Sequence, residues 1–107
     1  MPTARIASGK TEPGVGWQAQ GGDTIFIDVD TKTAEFTGTP TYVCSLAGTG
    51  AMYETAGGSS VYNGTSTGFR VYLRWEGWKR RGTDKGITPS DATTNKWQIH
   101  WIGYDEP

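Results

Sequence analysis

Gly9-Lys10-Thr11 has the ending of a phosphate-gripping loop, in which backbone N–H groups and a lysine cradle a nucleotide. That loop requires a glycine at position 4, where Ala4 stands, and a helix directly afterwards. Glu12, Pro13, Gly14 and Gly16 follow instead, and proline and glycine so close together do not continue a helix. Without a helix N-terminus no anion cradle forms, so the tripeptide reads as the end of a strand entering a turn. The only histidine, His100, invites a general-base reading, but it lies in an extended stretch beside Trp101 and has no identifiable partner. No serine sits in a Gly-x-Ser-x-Gly elbow. A non-catalytic chain is the expectation. Asp28 and Asp30 resemble the start of a calcium loop, which needs an oxygen ligand at the fifth position and glycine at the sixth; Lys32 and Thr33 stand there. Two carboxylates on the solvent face of a strand explain the pair better, and no metal or cofactor is expected.

Aromatic and basic residues concentrate in the second half of the chain. Arg70, Arg74, Lys79, Arg80, Arg81 and Lys85 interleave with Trp75 and Trp78, against Glu76 and Asp84. A single-strand nucleic-acid binder uses such a mixture. The chain as a whole carries a net charge of -1, however, and four of the six cations fall in one loop, so a solvated or subunit-contacting loop is expected rather than a nucleic-acid site. Carbohydrate is a further candidate ligand. Sugars present apolar C–H faces together with hydroxyls, and "WEGW", residues 75–78, offers aromatic platforms and a carboxylate at a loop edge.

The elements that must position these residues are short strands. At 107 residues the chain is long enough for one domain with a single core. Its 16 glycines and few strong helix formers favour turns and strands. In "TGFRVYLRWEG", Phe69, Val71, Leu73 and Trp75 alternate with Arg70, Tyr72, Arg74 and Glu76, the period of a strand with one buried face. "TIFIDVD" sets Ile25, Ile27 and Val29 against Phe26, Asp28 and Asp30. "TPTYVCSLAG" puts Tyr42, Cys44 and Leu46 together, which makes the one cysteine a small core residue rather than a nucleophile. "KWQIHWIGY" groups Trp97, Ile99 and Trp101, and leaves Gln98, His100, Ile102 and Tyr104 on the other face. "SSVYN" and the stretch around Ile6 are weaker strand candidates. No stretch shows a helical stripe, so an all-β antiparallel sandwich or barrel is expected over residues 1–107. Residues 48–58 and 77–95 form long loops, a length that favours function. No apolar run approaches the roughly 20 residues of a membrane span. The start of the chain lacks the apolar region of a secretory signal, which leaves a cytosolic protein or an excised secreted or surface domain as the expectation.

Several fragments, in order, resemble the H-type lectins, the snail agglutinin and discoidin C-terminal domain group. "RIASGKT" reaching Gly16-Trp17 is similar to the group's first strand. Residues 36–46 are similar to its phenylalanine, proline and hydrophobic strand, "VYNGTSTGFRVYLRW" to its Tyr…Thr-Gly-Phe strand, and "WQIHWIGY" to its closing strand. The resemblance implies a six-stranded antiparallel β-sandwich that assembles as a homotrimer, sometimes a hexamer. It also implies that galactose or N-acetylgalactosamine is held in shallow clefts between subunits. The family's sugar-binding Gly-x-Asp turn matches Gly21-Gly22-Asp23, with Asp23 as acceptor for sugar hydroxyls. The family's sugar-contacting arginine falls at Ala56, and its Trp-His pair falls at Glu76-Gly77. The resulting candidate site is Gly21, Asp23, Arg74, Trp75, Glu76 and Trp78, with the two tryptophans as platforms and Arg74 and Glu76 as accessory polar contacts. The alternative is an adhesive or structural assembly domain of the same fold that binds no sugar.

Overall fold

In the computed structural model, which describes residues 4–106, the chain forms two antiparallel sheets packed face to face. Among these residues there are eight strands: β1 (Arg5–Lys10), β2 (Gln18–Gln20), β3 (Thr24–Asp30), β4 (Thr41–Ala47), β5 (Thr55–Ala56), β6 (Tyr62–Thr65), β7 (Gly68–Trp75) and β8 (Gln98–Asp105). One sheet has the order β1-β8-β4. The other has the order β2-β3-β7-β5, and β6 also pairs with β7. The all-β, two-sheet expectation therefore holds. Six of the strands have four residues or more; β2 and β5 are the short additions to the expected count of six. They arise because β3 turns back on a three-residue arm, and because the chain alongside β7 is broken into β5 and β6.

The alternation in the sequence sets the core. Ile25, Ile27 and Val29 of β3 and Phe69, Val71, Leu73 and Trp75 of β7 face inwards and are buried. Tyr42 and Cys44 of β4 meet them from the other sheet with Ile99 and Trp101 of β8. Rings join the layers: Tyr42 lies 4.5 Å from Phe69, and Trp75 packs edge-on at 5.6 Å from Trp97, centroid to centroid. Such pairs contribute about 0.5–1.5 kcal/mol beyond their buried area. A polar pair is enclosed with them. The fully buried Thr31 hydroxyl lies 2.7 Å from Tyr42 Oη, which in turn donates to the Thr65 carbonyl at 2.7 Å.

Gly9 and Lys10 end β1 and Thr11 follows it, as expected. Gly9 and Lys10 pair with Trp101 and His100, and Thr11 exchanges hydrogen bonds of 2.9 Å with Ile99 through its backbone N–H and its hydroxyl. A β-carbon on Gly9 would stand 2.8 Å from the Trp101 ring, so the glycine lets the indole lie on the backbone.

The absence of helix is corrected. Pro89–Asn95 forms a short α-helix, α1, inside the long loop. Thr88 starts it: the Asp91 carboxylate accepts the Thr88 backbone N–H at 2.8 Å and its hydroxyl at 3.1 Å. Pro89 follows at the first helical position, where a missing N–H costs nothing.

Candidate functional site

Strand β7 ends in a tight turn. The Trp78 backbone N–H returns to the Trp75 carbonyl at 2.8 Å, with Gly77 at φ 78°, the positive value that the third residue of a type II turn requires. Trp78 itself has φ 74°, a conformation that bulky residues rarely adopt. The turn lifts its indole clear of the core, leaving Trp78 48 % exposed. Beyond it the chain makes a second turn closed by the Arg80 N–H to the Lys85 carbonyl at 2.9 Å. The loop is anchored at both ends. The Glu76 N–H donates to the Glu54 carbonyl at 2.8 Å, and Gly86 lies so close to the Gly22 carbonyl that a β-carbon would stand 2.1 Å from it.

This arrangement brings Arg74 under Trp78, with the guanidinium carbon 4.4 Å from the ring centroid. Beside the pair opens a shallow cleft of about 190 Å³, lined by Thr24, Ala56, Gly57, Tyr62, Tyr72, Leu73, Arg74 and Trp78. Ala56 and Arg74 are direct cross-strand partners. The aromatic surface continues along the outer face of the sheet: Tyr62 meets Tyr72 edge-on at 4.9 Å, and Phe26 lies 5.9 Å from Tyr72. Arg70 lies over Phe26 at 4.1 Å and is held by Asp28 through two hydrogen bonds of 2.7 and 3.0 Å. Those bonds to Asp28, and then that to Tyr72, push the Arg70 pKa up.

The six sequence-derived site residues are thus divided. Arg74 and Trp78 come together in the cleft. Asp23 does not line the cleft; it precedes the lining residue Thr24 and accepts its hydroxyl at 3.2 Å, and Gly21 lies in the same turn. Glu76 faces a different hollow, of about 260 Å³, with Glu54, Gly77 and Arg81. Trp75 is corrected: it is 1 % exposed, packed on Trp97, with Arg80 lying 5.1 Å over its ring, and it offers no face to a ligand. Its place follows from the inward parity it shares with Phe69, Val71 and Leu73. Tyr62 and Tyr72 join the cleft without having been singled out as site residues, although the outward parity of Tyr72 was visible in the sequence.

A roomier hollow of about 400 Å³ lies at the other end of β7, lined among others by Asp28, Asp30, Asn63, Thr65, Thr67 and Arg70. It suits a ligand less well, because Asp28, Asp30, Arg70 and Thr65 are already engaged within the protein. Asp28 holds Arg70, Asp30 accepts the Lys32 N–H at 2.9 Å, and Thr65 bonds Thr67. Phe69 contributes to its wall but is buried. The same bonds explain the Asp28 and Asp30 pair without a metal. On the opposite sheet, His100 points outwards between Lys10 and Ser45. Cys44 is enclosed and donates to the Gly58 carbonyl at 3.7 Å, and burial pushes its thiol pKa up. No protein-family model matches the chain, and no curated protein matches it.

Proposed function

We propose that this chain is a non-catalytic carbohydrate-binding module of the H-type-lectin kind, acting as a homo-oligomer. The observation that carries the reading is Trp78, an exposed indole held by a strained turn directly over Arg74 at the mouth of a cleft. An indole face takes the apolar C–H face of a pyranose, while nearby polar groups fix its hydroxyls. Asp23, next to the lining residue Thr24, is the hydroxyl acceptor in this reading. Ala56, the position at which the resemblance expects a sugar-contacting arginine, lines the same cleft, and its cross-strand partner Arg74 supplies a guanidinium from the neighbouring strand. A galactose-type sugar is the class to which the resemblance leads.

Self-association is supported by the outer face of β1-β8-β4. Ile6, Val43, Ile102 and Tyr104 are exposed there, with Ile6 opposite Tyr104 and Val43 opposite Ile102. A trimer would repeat a weak site around its axis and gain avidity without tight single contacts. That same apolar face is what favours the second reading, an assembly domain that binds no sugar. A glycan array separates the two. Wild-type protein is expected to retain galactose-type glycans, and Trp78→Ala and Asp23→Ala to lose at least most of that signal. Wild-type protein that retains no glycan leaves only the assembly reading.

A further inference from the structure

We propose that the saccharide bound at the Arg74–Trp78 cleft is acidic: a pyranose whose carboxylate or sulfate pairs with the Arg74 guanidinium. This rests on the glycan-binding reading above. Two arginines project from the outer face of β7, each lying over an aromatic ring, and their electrostatic situations differ. Arg70 is neutralised by the bidentate contact with Asp28. Arg74 has no carboxylate within 4.0 Å among the described residues, and its side chain hydrogen-bonds only the Trp75 carbonyl, at 3.3 Å. A guanidinium carries five N–H donors in a planar fork that matches carboxylate geometry. Arg74 therefore presents a half-buried cation with most of its donors free, at the wall of a cleft.

A neutral ring laid over such a group would strip water from an uncompensated charge, whereas a ring bringing its own anion replaces that water with charge-assisted hydrogen bonds. The surroundings point the same way. Residues 74–85 hold five cations (Arg74, Lys79, Arg80, Arg81, Lys85) against two carboxylates (Glu76, Asp84), in a chain whose net charge is -1. Among the described residues, Arg80 is the one loop cation that is paired, with Glu54 at 3.9 Å. The excess of cations is thus local to the end of β7 and the loop after it, where it draws an anionic ligand to this end of the molecule, and Arg74 is the member of the group that lines the cleft. Single-stranded nucleic acid is anionic too, but it needs successive stacking platforms; the rings next to the cleft meet at 86° (Tyr62 and Tyr72) and 53° (Phe26 and Tyr72), and a cleft of about 190 Å³ suits one ring.

The test is a calorimetric titration of the whole chain with galactose and galacturonate, which differ only at the sixth carbon. Galactose 6-sulfate and a single-stranded oligonucleotide serve as further arms. Galacturonate or the sulfate is expected to bind about tenfold tighter than galactose at low ionic strength, as a charge-assisted contact implies. The ratio should collapse in about 1 M salt, where the Debye length is about 3 Å. Arg74→Gln should bring the ratio to about one, and Arg74→Lys, which keeps the charge and most of the stem, should restore part of it. Equal affinity of the wild type for galactose, galacturonate and galactose 6-sulfate overturns this inference and leaves the glycan reading standing. A preference that survives Arg74→Gln also overturns it. Failure of every saccharide removes both readings, and binding of the oligonucleotide in place of the acidic sugars replaces them with a nucleic-acid site.

Discussion

At φ 74° Trp78 holds a bulky side chain where its β-carbon crowds the backbone, at a cost of about 1–2 kcal/mol relative to a relaxed conformation. Replacing it by alanine and by glycine isolates that cost. Both variants lose the same half-buried indole, which covers about 100 Å² of apolar contact and contributes at most about 2.5 kcal/mol. Both also lose the stacking on Arg74. They differ only in backbone freedom. At ordinary positions alanine is the more stable of the two by about 0.5–1 kcal/mol, because glycine loses more entropy on folding. Here relief of the left-handed strain outweighs that term, so Trp78→Gly is expected to exceed Trp78→Ala by about 0.5–1 kcal/mol. With a urea slope of about 2 kcal/mol per molar, its unfolding midpoint should lie about 0.3–0.5 M higher. A midpoint for the alanine variant equal to or above that of the glycine variant refutes the strained turn. The case for an indole held out deliberately towards a ligand weakens with it, since strain of this kind persists where the surrounding structure imposes it.

Further predictions concern the groups that support the cleft and the core. Tyr42→Phe strips the fully buried Thr31 hydroxyl of its partner and should cost about 1–3 kcal/mol in denaturant titrations. Adding Thr31→Val should recover much of that loss; no loss in the single variant contradicts the network. Cys44 should label slowly with a thiol reagent at pH 8 in the native state and quickly in urea, and equal rates would contradict its burial. Because its folded pKa is raised, its contribution to stability is complete below the ordinary thiol range and erodes as the pH rises through it. Gly86→Ala forces a β-carbon against the Gly22 carbonyl, so the loop must move off the 21–23 turn, and glycan binding should fall while far-UV circular dichroism is preserved. Undiminished binding would show that this anchor does not position the cleft.

Much of the fold could be read directly from the sequence because its strands have one wet and one dry face. Phe69, Val71, Leu73 and Trp75 alternate so regularly that the burial of Trp75 follows from parity alone. The proposal of Trp75 as a platform failed for that reason: strand parity outranks proximity to a loop. α1 left no apolar stripe because Ala92 is its only buried residue, yet Thr88-Pro89-Ser90-Asp91 carried the cap and the first-turn proline in plain view. β2 is exposed throughout, so "QAQ" has no pattern to find. The candidate site was legible in part. Arg74 and Trp78 were named, but their stacking depends on the backbone conformation at residues 77 and 78. The contact between Gly86 and the 21–23 turn joins distant parts of the chain, which no local period encodes.

The most direct test of the glycan cleft is a ¹⁵N-resolved titration that follows the indole N–H signals of the five tryptophans. Trp17, Trp75, Trp97 and Trp101 are buried, and the Trp17 and Trp97 indoles already donate to the Trp97 and Gly50 carbonyls. Adding a galactose-type saccharide should shift the Trp78 indole and the Arg74 side chain and leave the other four indoles in place. Shifts confined to the hollow around Asn63 and Thr67, or none at saturating sugar, would contradict the account.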